Sequence, residues 1–386
     1  MAQIVGWGHT PFGRHPDKSI EDLIRDAGGE ALRHAGIAAG DVGAVWVGHF
    51  NAGMVGDAFP SSLALSIDDA MRFVPAARAE NACASGSAAT YSALDAIRSG
   101  RIDIALVVGV EKMSHLPTAE VAAALGGASY QPEEAGVSFP EVFSQFARAY
   151  FDTFGDKSRA LAEIAVKNHQ NAMANPLAQM QRPLTLEFCS TVSNKNPMVA
   201  DPLKVTDCSL VSDGAAAIVI ASDEAAKAFP RAVRFRSTAH VSDFLPMSRR
   251  DLTAFEGPRR AISRAKEQAG VQNGDLHVAE VHDCFTIAEL MIYEAMDLAP
   301  AGQGERALRE GIVLPGGRLP VNLSGGLKAK GHPVGATGVS MHVMIARQLT
   351  GAADAMQVPG ANLGMVFNMG GSGVANYCSI LETERA

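Results

Sequence analysis

The feature that most restricts the fold is an internal repeat, visible when the sequence is compared with itself at a shift of 234 residues. Residues 35–41 then align with residues 269–275, and each copy has an Ala-Gly pair followed by a Gly-Asp turn. Each copy predicts an amphipathic helix that ends at a glycine and leads into a buried strand, at Ala44–Val47 and at Val278–Val281. A chain that encodes this unit twice is predicted to form two related halves.

Three further apolar runs predict strands that are covered on both faces, at Ile102–Val108, Ala215–Ile220 and Met365–Asn368. Because these strands alternate with helical segments, the chain is predicted to adopt an α/β layered fold that is built twice. The length of 386 residues agrees with two core-sized units, since a single core rarely grows beyond about 250–300 residues.

The periodicity changes between the two halves. Helical stretches at Phe139–Phe151 and Arg159–Ala174 lie among clusters of Pro, Asn and Ser, which indicates an inserted helical region. We therefore expect a first half in two parts, an insert between them, and a second half. The predicted bounds are 1–116 and 204–250 for the first half, 117–203 for the insert, and 251–386 for the second half.

Composition excludes several classes of function. The net charge of −8 and the scattered Lys and Arg residues argue against a nucleic-acid partner, because phosphate binding requires a basic face. No apolar window reaches the ~18 residues of a membrane span, and the N-terminus lacks a signal-peptide pattern, so we expect a cytoplasmic protein without a membrane partner. The five cysteines form neither CxxC pairs nor a disulfide framework, which predicts no structural zinc and at least one free thiol.

The first candidate for chemistry is Cys83, in the segment 80–89 that directly precedes a helical run to Arg98. Unpaired N–H groups and the dipole at a helix start stabilise a thiolate, and the small neighbouring residues let a substrate approach. The alternative is a buried structural cysteine in an Ala-rich helix, and for a lone cysteine this is the better interpretation.

The second candidate is His332, in a glycine-rich loop at residues 322–338 that leads into the predicted helix Val339–Leu349. The glycines keep this loop tight and poor in side chains, and Pro333 fixes the backbone after the histidine. Such a loop can present one imidazole at a helix start. Taken alone, it could equally be a phosphate cradle beside a solvent-exposed histidine.

The third candidate segment is 282–285 (His-Asp-Cys-Phe), directly after the predicted strand Val278–Val281. In an α/β fold, side chains at strand ends lie at the usual ligand-binding edge, which nominates His282 and Cys284. A histidine and a cysteine two residues apart could bind a metal ion. No further Cys or His lies nearby in the sequence, so we expect no metal.

Together these segments resemble the thiolase superfamily over essentially the whole chain. The residues around Cys83 match its Asn-x-Cys-x-Ser-Gly pattern, and those around His332 match its Gly-His-Pro and Gly-Ala-Thr-Gly loop. Residues 109–114 and 212–217 are similar to two strand-end motifs of the family, and all motifs occur in the family's order. The resemblance implies the thiolase fold, with two similar α/β halves in a five-layered α-β-α-β-α arrangement and an inserted helical loop domain.

Within the superfamily the chain resembles the sterol-carrier-protein type. Thiolases of the two-cysteine type carry Asn-Glu-Ala-Phe at the position of 282–285, and a second catalytic Cys in a C-terminal Cys-x-Gly loop. Here that loop reads Phe-Asn-Met-Gly-Gly-Ser-Gly, and Cys378 lies beyond it in a predicted strand, where we expect a structural role. We expect no lipid-transfer domain, because the sequence ends 13 residues after Gly373.

The resemblance implies a mechanism for making or breaking a carbon–carbon bond between acyl thioesters. Cys83 would be the nucleophile, His332 its proton acceptor, and Cys284 the acid/base at the α-carbon. His332 and His282 would donate to the enolate oxygen. The backbone N–H groups of Cys83 and of the Gly370 region would bind the tetrahedral oxyanion.

The implied ligand is coenzyme A, acting as substrate or co-substrate. Since the whole chain is acidic, a local basic patch must meet its phosphates. Four basic residues of the insert and its border are candidates, although each could equally be a solvated surface charge. They are Lys167, Arg182, Lys195 and Lys204.

The resemblance also implies partners and alternatives. We expect acyl-CoA substrates and a homodimer or homotetramer, because the family buries an edge strand of each subunit against its twin. One alternative function is a thiolase-like aldolase that works without an acyl-enzyme. Another is a non-catalytic subunit that channels intermediates in a complex with a small zinc-ribbon and OB-fold companion. The sequence does not decide the acyl chain length or the direction of the reaction.

Overall fold

The structure is a computed structural model and describes residues 2–385. Its strands, numbered in chain order, are β1 (Ala2–His9), β2 (Ala44–Gly48), β3 (Ala76–Ala79), β4 (Ile104–Glu111), β5 (Met198–Ala200), β6 (Leu203–Lys204), β7 (Gly214–Ser222), β8 (Ala232–Ser242), β9 (Val278–Val281), β10 (Leu363–Gly370) and β11 (Ala375–Arg385).

The α-helices alternate with these strands. They are α1 (Ile20–Ala35), α2 (Pro60–Leu63), α3 (Ser85–Arg98), α4 (Thr118–Gly126), α5 (Gln131–Glu134), α6 (Phe139–Phe154), α7 (Ser158–Ala172), α8 (Leu186–Ser190), α9 (Glu256–Ala269), α10 (Thr286–Ala295), α11 (Glu305–Arg309), α12 (Gly326–Ala329) and α13 (Val334–Leu349). Within the described range, no helix combines the length and apolar character needed to cross a membrane.

Both copies of the internal repeat form the predicted elements. Helix α1 ends at Gly36 with φ 74°, and α9 ends at Gly270 with φ 65°, so both glycines adopt the left-handed conformation that closes a helix. The strands that follow are β2 and β9. The prediction that the sequence encodes a helix, a glycine cap and a strand twice is confirmed.

The larger sheet has nine strands in the order β3-β2-β4-β7-β1-β8-β11-β10-β9. The two halves of the chain join where β1 pairs with β8, through Gln3 with Arg234 and Ile4 with Val233. Strands β2, β3 and β4 run parallel, as do β9 and β10, whereas β7 and β11 run antiparallel to their neighbours. A small antiparallel pair, β5 with β6, lies at the C-terminal border of the insert and was not predicted from the sequence.

The helices divide this sheet into layers. Helix α1 packs against β1, β4 and β7, and α9 packs against β8 and β11. Helix α13 contacts β4 and β7 of the first half and also β9 and β10 of the second, while α3 packs beside it on β2 and β4. Because one helix touches both parts of the sheet, they lie on opposite sides of a shared helical layer. The predicted layered α/β fold, with helices between and outside the sheet layers, is confirmed.

The apolar strand runs are covered on both faces, as predicted. In β4, Leu106, Val108 and Val110 pack in one core cluster with residues of α1. The alternate residues Ala105 and Val107 pack in the other large cluster, with residues of α3 and α13. This alternation explains why the run carries no polar face.

Glycines allow the two central helices to approach each other closely. A Cβ atom on Gly86 of α3 would lie 2.7 Å from the carbonyl oxygen of Gly335, and one on Gly338 of α13 would lie 2.4 Å from the backbone nitrogen of Ser87. Both distances are shorter than any normal carbon contact, so these positions cannot carry a side chain without movement of the helices. The starts of α3 and α13 therefore lie side by side, and so do the segments that precede them.

The predicted helices of the insert are observed as α6 and α7, which end at Phe154 and Ala172. Both pack towards the second half, because α7 contacts α10 and α12 and α6 contacts α10. The insert thus covers the edge at which β9 ends. Its predicted bounds, 117–203, stay a prediction.

We predict that Gly86→Ala lowers the free energy of unfolding by about 1–3 kcal/mol, because the added methyl group must push α3 away from α13. Gly29→Ala in α1 is the matched control, since its added Cβ would meet only the mobile end of Arg33 at 3.2 Å. The control should raise stability by up to about 1 kcal/mol through helix propensity. Chemical denaturation of both variants checks this, and equal stability of the two would contradict the close helix contact.

Candidate active site

Cys83 lies in a tight turn between β3 and α3 and is 5% exposed. The turn places Ala82 at φ 50°, a conformation that side-chain-bearing residues rarely adopt. Ser85 holds it in place, because its Oγ accepts a hydrogen bond from the N–H of Asn81 at 3.0 Å and donates to the carbonyl of Ala82 at 2.6 Å. The sequence around the cysteine thus fixes the direction of its side chain.

The loop after β10 closes against this turn. A Cβ atom on Gly370 would lie 2.1 Å from the carbonyl oxygen of Asn81, so only glycine fits there. The next N–H group, that of Gly371, is close enough to the thiol of Cys83 to act on its pKa as a hydrogen-bond donor. A backbone donor from a second segment of the chain therefore lies near the sulfur.

Three polar atoms from three separate segments meet at this point. The Sγ of Cys83 and one ring nitrogen each of His282 and His332 all lie within 4.8 Å of one another. The two imidazole rings are nearly perpendicular, with centroids 5.2 Å apart. The structure therefore brings together the residues that the sequence placed in three distant motifs.

Hydrogen bonds fix the tautomer of His332. Its Nδ1 lies 2.7 Å from the hydroxyl oxygen of Thr337, and that hydroxyl donates its own hydrogen to the carbonyl of Pro333 at 3.0 Å. The hydroxyl oxygen can then only accept from the ring, so Nδ1 carries the proton. The other nitrogen, Nε2, keeps its lone pair and can accept a proton.

The opposite tautomer is fixed at His282. The Asn368 amide nitrogen donates to the carbonyl of Cys83 at 3.3 Å, and its amide oxygen accepts from Ser87 at 2.7 Å, which sets the orientation of the amide. The same amide nitrogen lies 2.9 Å from Nδ1 of His282, which must therefore accept. The proton is on Nε2, a buried atom for which no hydrogen-bond partner is present within the described residues. This N–H thus has no hydrogen-bond acceptor in that part of the protein, although the side chain of His282 is fully buried.

Burial sets the resting protonation of these groups. Burial, reinforced by Glu111, raises the pKa of Cys83 to about 12. Burial, reinforced by Lys330, lowers the pKa of His332 to about 3. The resting pair is thus a neutral thiol beside a neutral imidazole, and the helix start alone does not hold a thiolate, contrary to the expectation from the sequence.

Cys284 is 2% exposed and lines the same cavity as Cys83 and His332. Burial raises the pKa of its thiol well above the usual range, and the neighbouring Cys83 raises it further. Cys378 lies in β11, as predicted, is fully buried, and is not among the described residues that line the cavity.

Cys83, His282 and His332 are spaced closely enough to bind a metal ion, which was not foreseen from the sequence. A histidine that binds a metal normally donates its other N–H to an acceptor. At His282 the partner of the other nitrogen is the amide nitrogen of Asn368, which can only donate. The donor set therefore does not fit a metal ion at His282.

The cavity in front of these residues has a volume of about 720 Å³. Apolar side chains such as Val121, Phe139, Leu184 and Phe285 form most of its wall. Its charged lining is entirely cationic among the described residues and contains no Asp or Glu. The cationic residues are Arg14, Arg182, Lys195 and Lys328.

Of the four predicted phosphate-binding residues, the structure places two at this cavity, Arg182 and Lys195. Lys167 is buried in an ion pair with Glu289 at 2.8 Å. Lys204 is buried beside Asp207 at 2.9 Å. The charges of these two lysines are neutralised within the protein, so they are not available to a ligand phosphate.

Some residues of the site were missed from the sequence. Asn368 ends a predicted strand and was assigned no role, although an asparagine in an apolar strand run is a signal, because a buried amide needs partners. Thr337 follows His332 by five residues and caps its ring. Arg14 lies far from every motif, and no sequence pattern marks it.

Comparison with known proteins agrees with this geometry. The family model described as "Thiolase, N-terminal domain" matches residues 2–224, and that described as "Thiolase C-terminal domain-like" matches residues 239–383. Between them they span almost the whole chain.

Relatives and solved structures are similar over the same length. An "Acetyl-CoA acetyltransferase" of Methanothermobacter thermautotrophicus is 38% identical, covering 96% of both chains. "Sterol carrier protein 2" of Bos taurus is 32% identical over 95% of this chain and 69% of its own length. The solved structure "Ltp2-ChsH2(DUF35) aldolase" superimposes with a TM-score of 0.81 at 23% identity, over 100% of this chain and 98% of that one, and shows the shared fold. These matches establish that the chain belongs to the thiolase family and is an enzyme of the acyltransferase class.

Proposed function

We propose that the protein catalyses thiolysis of 3-ketoacyl-CoA, or the reverse Claisen condensation of two acyl-CoA molecules, through an acyl group carried on Cys83. The observation that supports this most is the cluster of Cys83, His282 and His332 within 4.8 Å, next to a cavity that is lined by Cys83, His332 and Cys284. The two imidazoles have opposite tautomers, so one is a proton acceptor and the other a donor. Claisen chemistry needs both.

The first half-reaction uses His332, the imidazole that accepts a proton. His332 takes the thiol proton of Cys83 on its Nε2 as the sulfur attacks the thioester carbonyl, so that no resting thiolate is required. The carbonyl oxygen becomes an oxyanion, for which the backbone N–H groups of Cys83 and of the Gly370 loop are the proposed donors. Collapse of this intermediate expels CoA, which takes the proton from His332, and leaves an acyl thioester on Cys83.

The second half-reaction uses His282, the imidazole that donates a hydrogen bond. Cys284 first gives its thiol proton to Nε2 of His332, and the resulting thiolate removes a proton from the α-carbon of the second thioester, whose carbonyl oxygen becomes an enolate oxygen. The free Nε2–H of His282 donates to that oxygen, together with Nε2–H of His332 when that ring is protonated. The α-carbon then attacks the acyl group on Cys83, and the sulfur leaves and takes back a proton from Nε2 of His332. In thiolysis the same steps run backwards, and Cys284 returns the proton.

Coenzyme A is the proposed carrier of both acyl groups. The cationic lining of the cavity suits a polyphosphate ligand, although the whole chain has a net charge of −8. Arg182 and Lys195 are exposed and lie on the cavity wall, so they are the retained candidates for phosphate contact. The acetyl-CoA named for the archaeal relative is the first substrate to test.

A thiolase-like aldolase remains the second candidate, because a solved aldolase complex shares the fold. An aldolase needs no acyl-enzyme, so the presence of Cys83, His332 and Cys284 in one cavity favours the thiolase reaction. A channelling role with a small zinc-ribbon and OB-fold companion is a further proposal. Trapping an acyl group on Cys83 separates the first reaction from both alternatives.

We predict a homodimer or homotetramer. Strand β3 is the outer strand of the nine-stranded sheet and its residues Ala76–Ala79 are partly exposed, while nearby Phe73 is 85% exposed. An open strand edge beside an exposed aromatic ring is a surface that soluble proteins normally cover. Light scattering at micromolar concentration should give at least twice the mass of 40.4 kDa, and a clean monomer would refute the prediction.

The two half-reactions should respond differently to loss of each thiol. We predict that Cys83→Ala is neither acylated by acetyl-CoA nor active, retaining less than about a hundredth of thiolysis. Cys284→Ala should still become acylated, because that step needs only the nucleophile, His332 and the oxyanion donors. Its rate of condensation should fall by about 10²–10⁴-fold, which is the usual effect of losing one general base. Mass spectrometry of the trapped acyl-enzyme and a condensation assay measure the two steps.

Cys378→Ala is the matched control, since that thiol is buried in β11 away from the cavity. It should retain both half-reactions. If Cys284→Ala condenses at close to the wild-type rate while Cys378→Ala does not, the acid/base assignment is wrong. If the Cys83→Ala protein is acetylated at another residue, then that residue, and not Cys83, is the nucleophile.

The tautomer of His282 gives a separate prediction. In Asn368→Asp, the carboxylate can only accept, so the proton of His282 moves to Nδ1 and the nitrogen that faces the substrate loses its N–H. We expect kcat for condensation to fall by about 10²–10⁴ with a smaller change in KM, because the lost donor acts on the enolate. Steady-state kinetics, with circular dichroism to confirm folding, test this.

Asn376→Asp controls for the burial of a new carboxylate. Asn376 is also fully buried, but its amide donates to the carbonyls of Gly373 and Val374 and not to His282. An equal fall in kcat for both variants would mean that the added charge, and not the tautomer, causes the loss.

A further inference from the structure

A second polar pair lines the cavity, apart from the three clustered residues of the active site. Lys328 in α12 is 3% exposed, and its Nζ lies 3.3 Å from Nε2 of His169 in α7. Both residues line the cavity. The proposed reaction uses neither of them.

The pair leaves the charge of the lysine without a counter-charge. Nδ1 of His169 lies 3.0 Å from the carbonyl oxygen of Arg182, which can only accept, so Nδ1 carries the ring proton. Nε2 therefore accepts from the ammonium of Lys328, and the ring is neutral. Burial and the neighbouring Lys328 lower the pKa of His169 to about 4, in agreement with a neutral ring.

The carboxylates near Lys328 are already engaged. Asp207 pairs with Nζ of Lys204 at 2.9 Å and accepts from Thr286 at 3.0 Å. Asp283 accepts from Asn168 at 2.7 Å and from two backbone N–H groups of α12. The described residues thus give Lys328 no ion pair. A buried ammonium at a cavity wall is stabilised when a bound ligand supplies the missing negative charge.

The depth of this pair separates it from the other cations of the cavity. Arg14, Arg182 and Lys195 are exposed, whereas Lys328 is buried. The three exposed groups can reach a phosphate from solvent. Lys328 can be reached only by a group that has entered the cavity.

We propose that Lys328 and His169 form an oxyanion-binding site inside the cavity, which takes a phosphate or a carboxylate carried by the acyl-CoA ligand. The site rests on the proposed function, because it assumes that an acyl-CoA occupies this cavity. The lysine donates to the oxyanion, and His169 holds the ammonium in position through Nε2. If the group is a carboxylate at the end of the acyl chain, Lys328 selects for acyl chains that end in an acid.

Binding measurements distinguish the two sources of the oxyanion. Isothermal titration calorimetry is done in a Cys83→Ala background, so that no acyl transfer occurs, with CoA, hexanoyl-CoA and adipyl-CoA. The last two ligands differ only in the terminal carboxylate. Loss of a hydrogen bond to a charged group should weaken binding of the relevant ligand by about 10–100-fold in Lys328→Met.

A loss confined to adipyl-CoA identifies a carboxylate of the acyl chain, and an equal loss with all three ligands identifies a phosphate of CoA. Pantetheine, which has no phosphate, should then be unaffected by Lys328→Met. Lys328→Gln repeats the test with a polar side chain that can still donate to His169, in case the apolar variant does not fold. Lys227→Met is the matched control, because that lysine is exposed and pairs with Glu224 on the surface.

Unchanged affinity of Lys328→Met and Lys328→Gln for all three CoA ligands would overturn the proposed site. A loss that extends equally to pantetheine would also overturn it, because Lys328 would then contact a neutral carbonyl. If none of the ligands binds to the Cys83→Ala protein with Lys328 intact, the proposed function fails together with the site.

Discussion

The close contact between the starts of α3 and α13 is the constraint on which the rest of the site depends. Gly86 and Gly338 remove the side chains that would separate the two helices. The turn with Cys83 precedes one helix and the loop with His332 precedes the other, so their distance is set by backbone packing in the centre of the molecule. Neither of these two side chains is placed by a flexible surface loop. Active sites that are built on rigid elements keep their geometry within the narrow range that catalysis requires.

In the proposed reaction, neutral groups in fixed orientations carry out the chemistry at this centre. Burial favours the uncharged forms of Cys83, Cys284, His282 and His332, so the resting site holds no ion pair. We propose that charge develops only when a substrate oxygen or sulfur is present to carry it. Asn368 and Thr337 then determine which ring donates and which accepts, through hydrogen bonds that exist before the substrate arrives.

The sequence predicted the repeat, the buried strands and the three motifs, because each depends on residues that are close together in the chain. It also predicted a thiol at Cys284 near Cys83, through a resemblance and not through geometry. The partner of His282 could not be predicted in this way, since Asn368 lies 86 residues further along the chain and only the pairing of β9 with β10 brings them together. For the same reason, the sequence could not show that Lys167 and Lys204 form ion pairs inside the protein. A lysine in a sequence shows its charge but not the carboxylate that neutralises it in the folded protein.

The position of β1 in the sheet has a consequence for synthesis of the chain. This first strand lies between β7 and β8, whose residues begin more than 200 positions later. During translation β1 therefore has no strand partner until more than half of the protein has been made, and until then it exposes unpaired N–H and C=O groups along an apolar segment. Pairings over such long separations form slowly. In a nascent chain that contains only the first half, β1 can thus pair with strands of other chains. How long the chain stays in this condition depends on the rate of elongation as well as on the rate of folding.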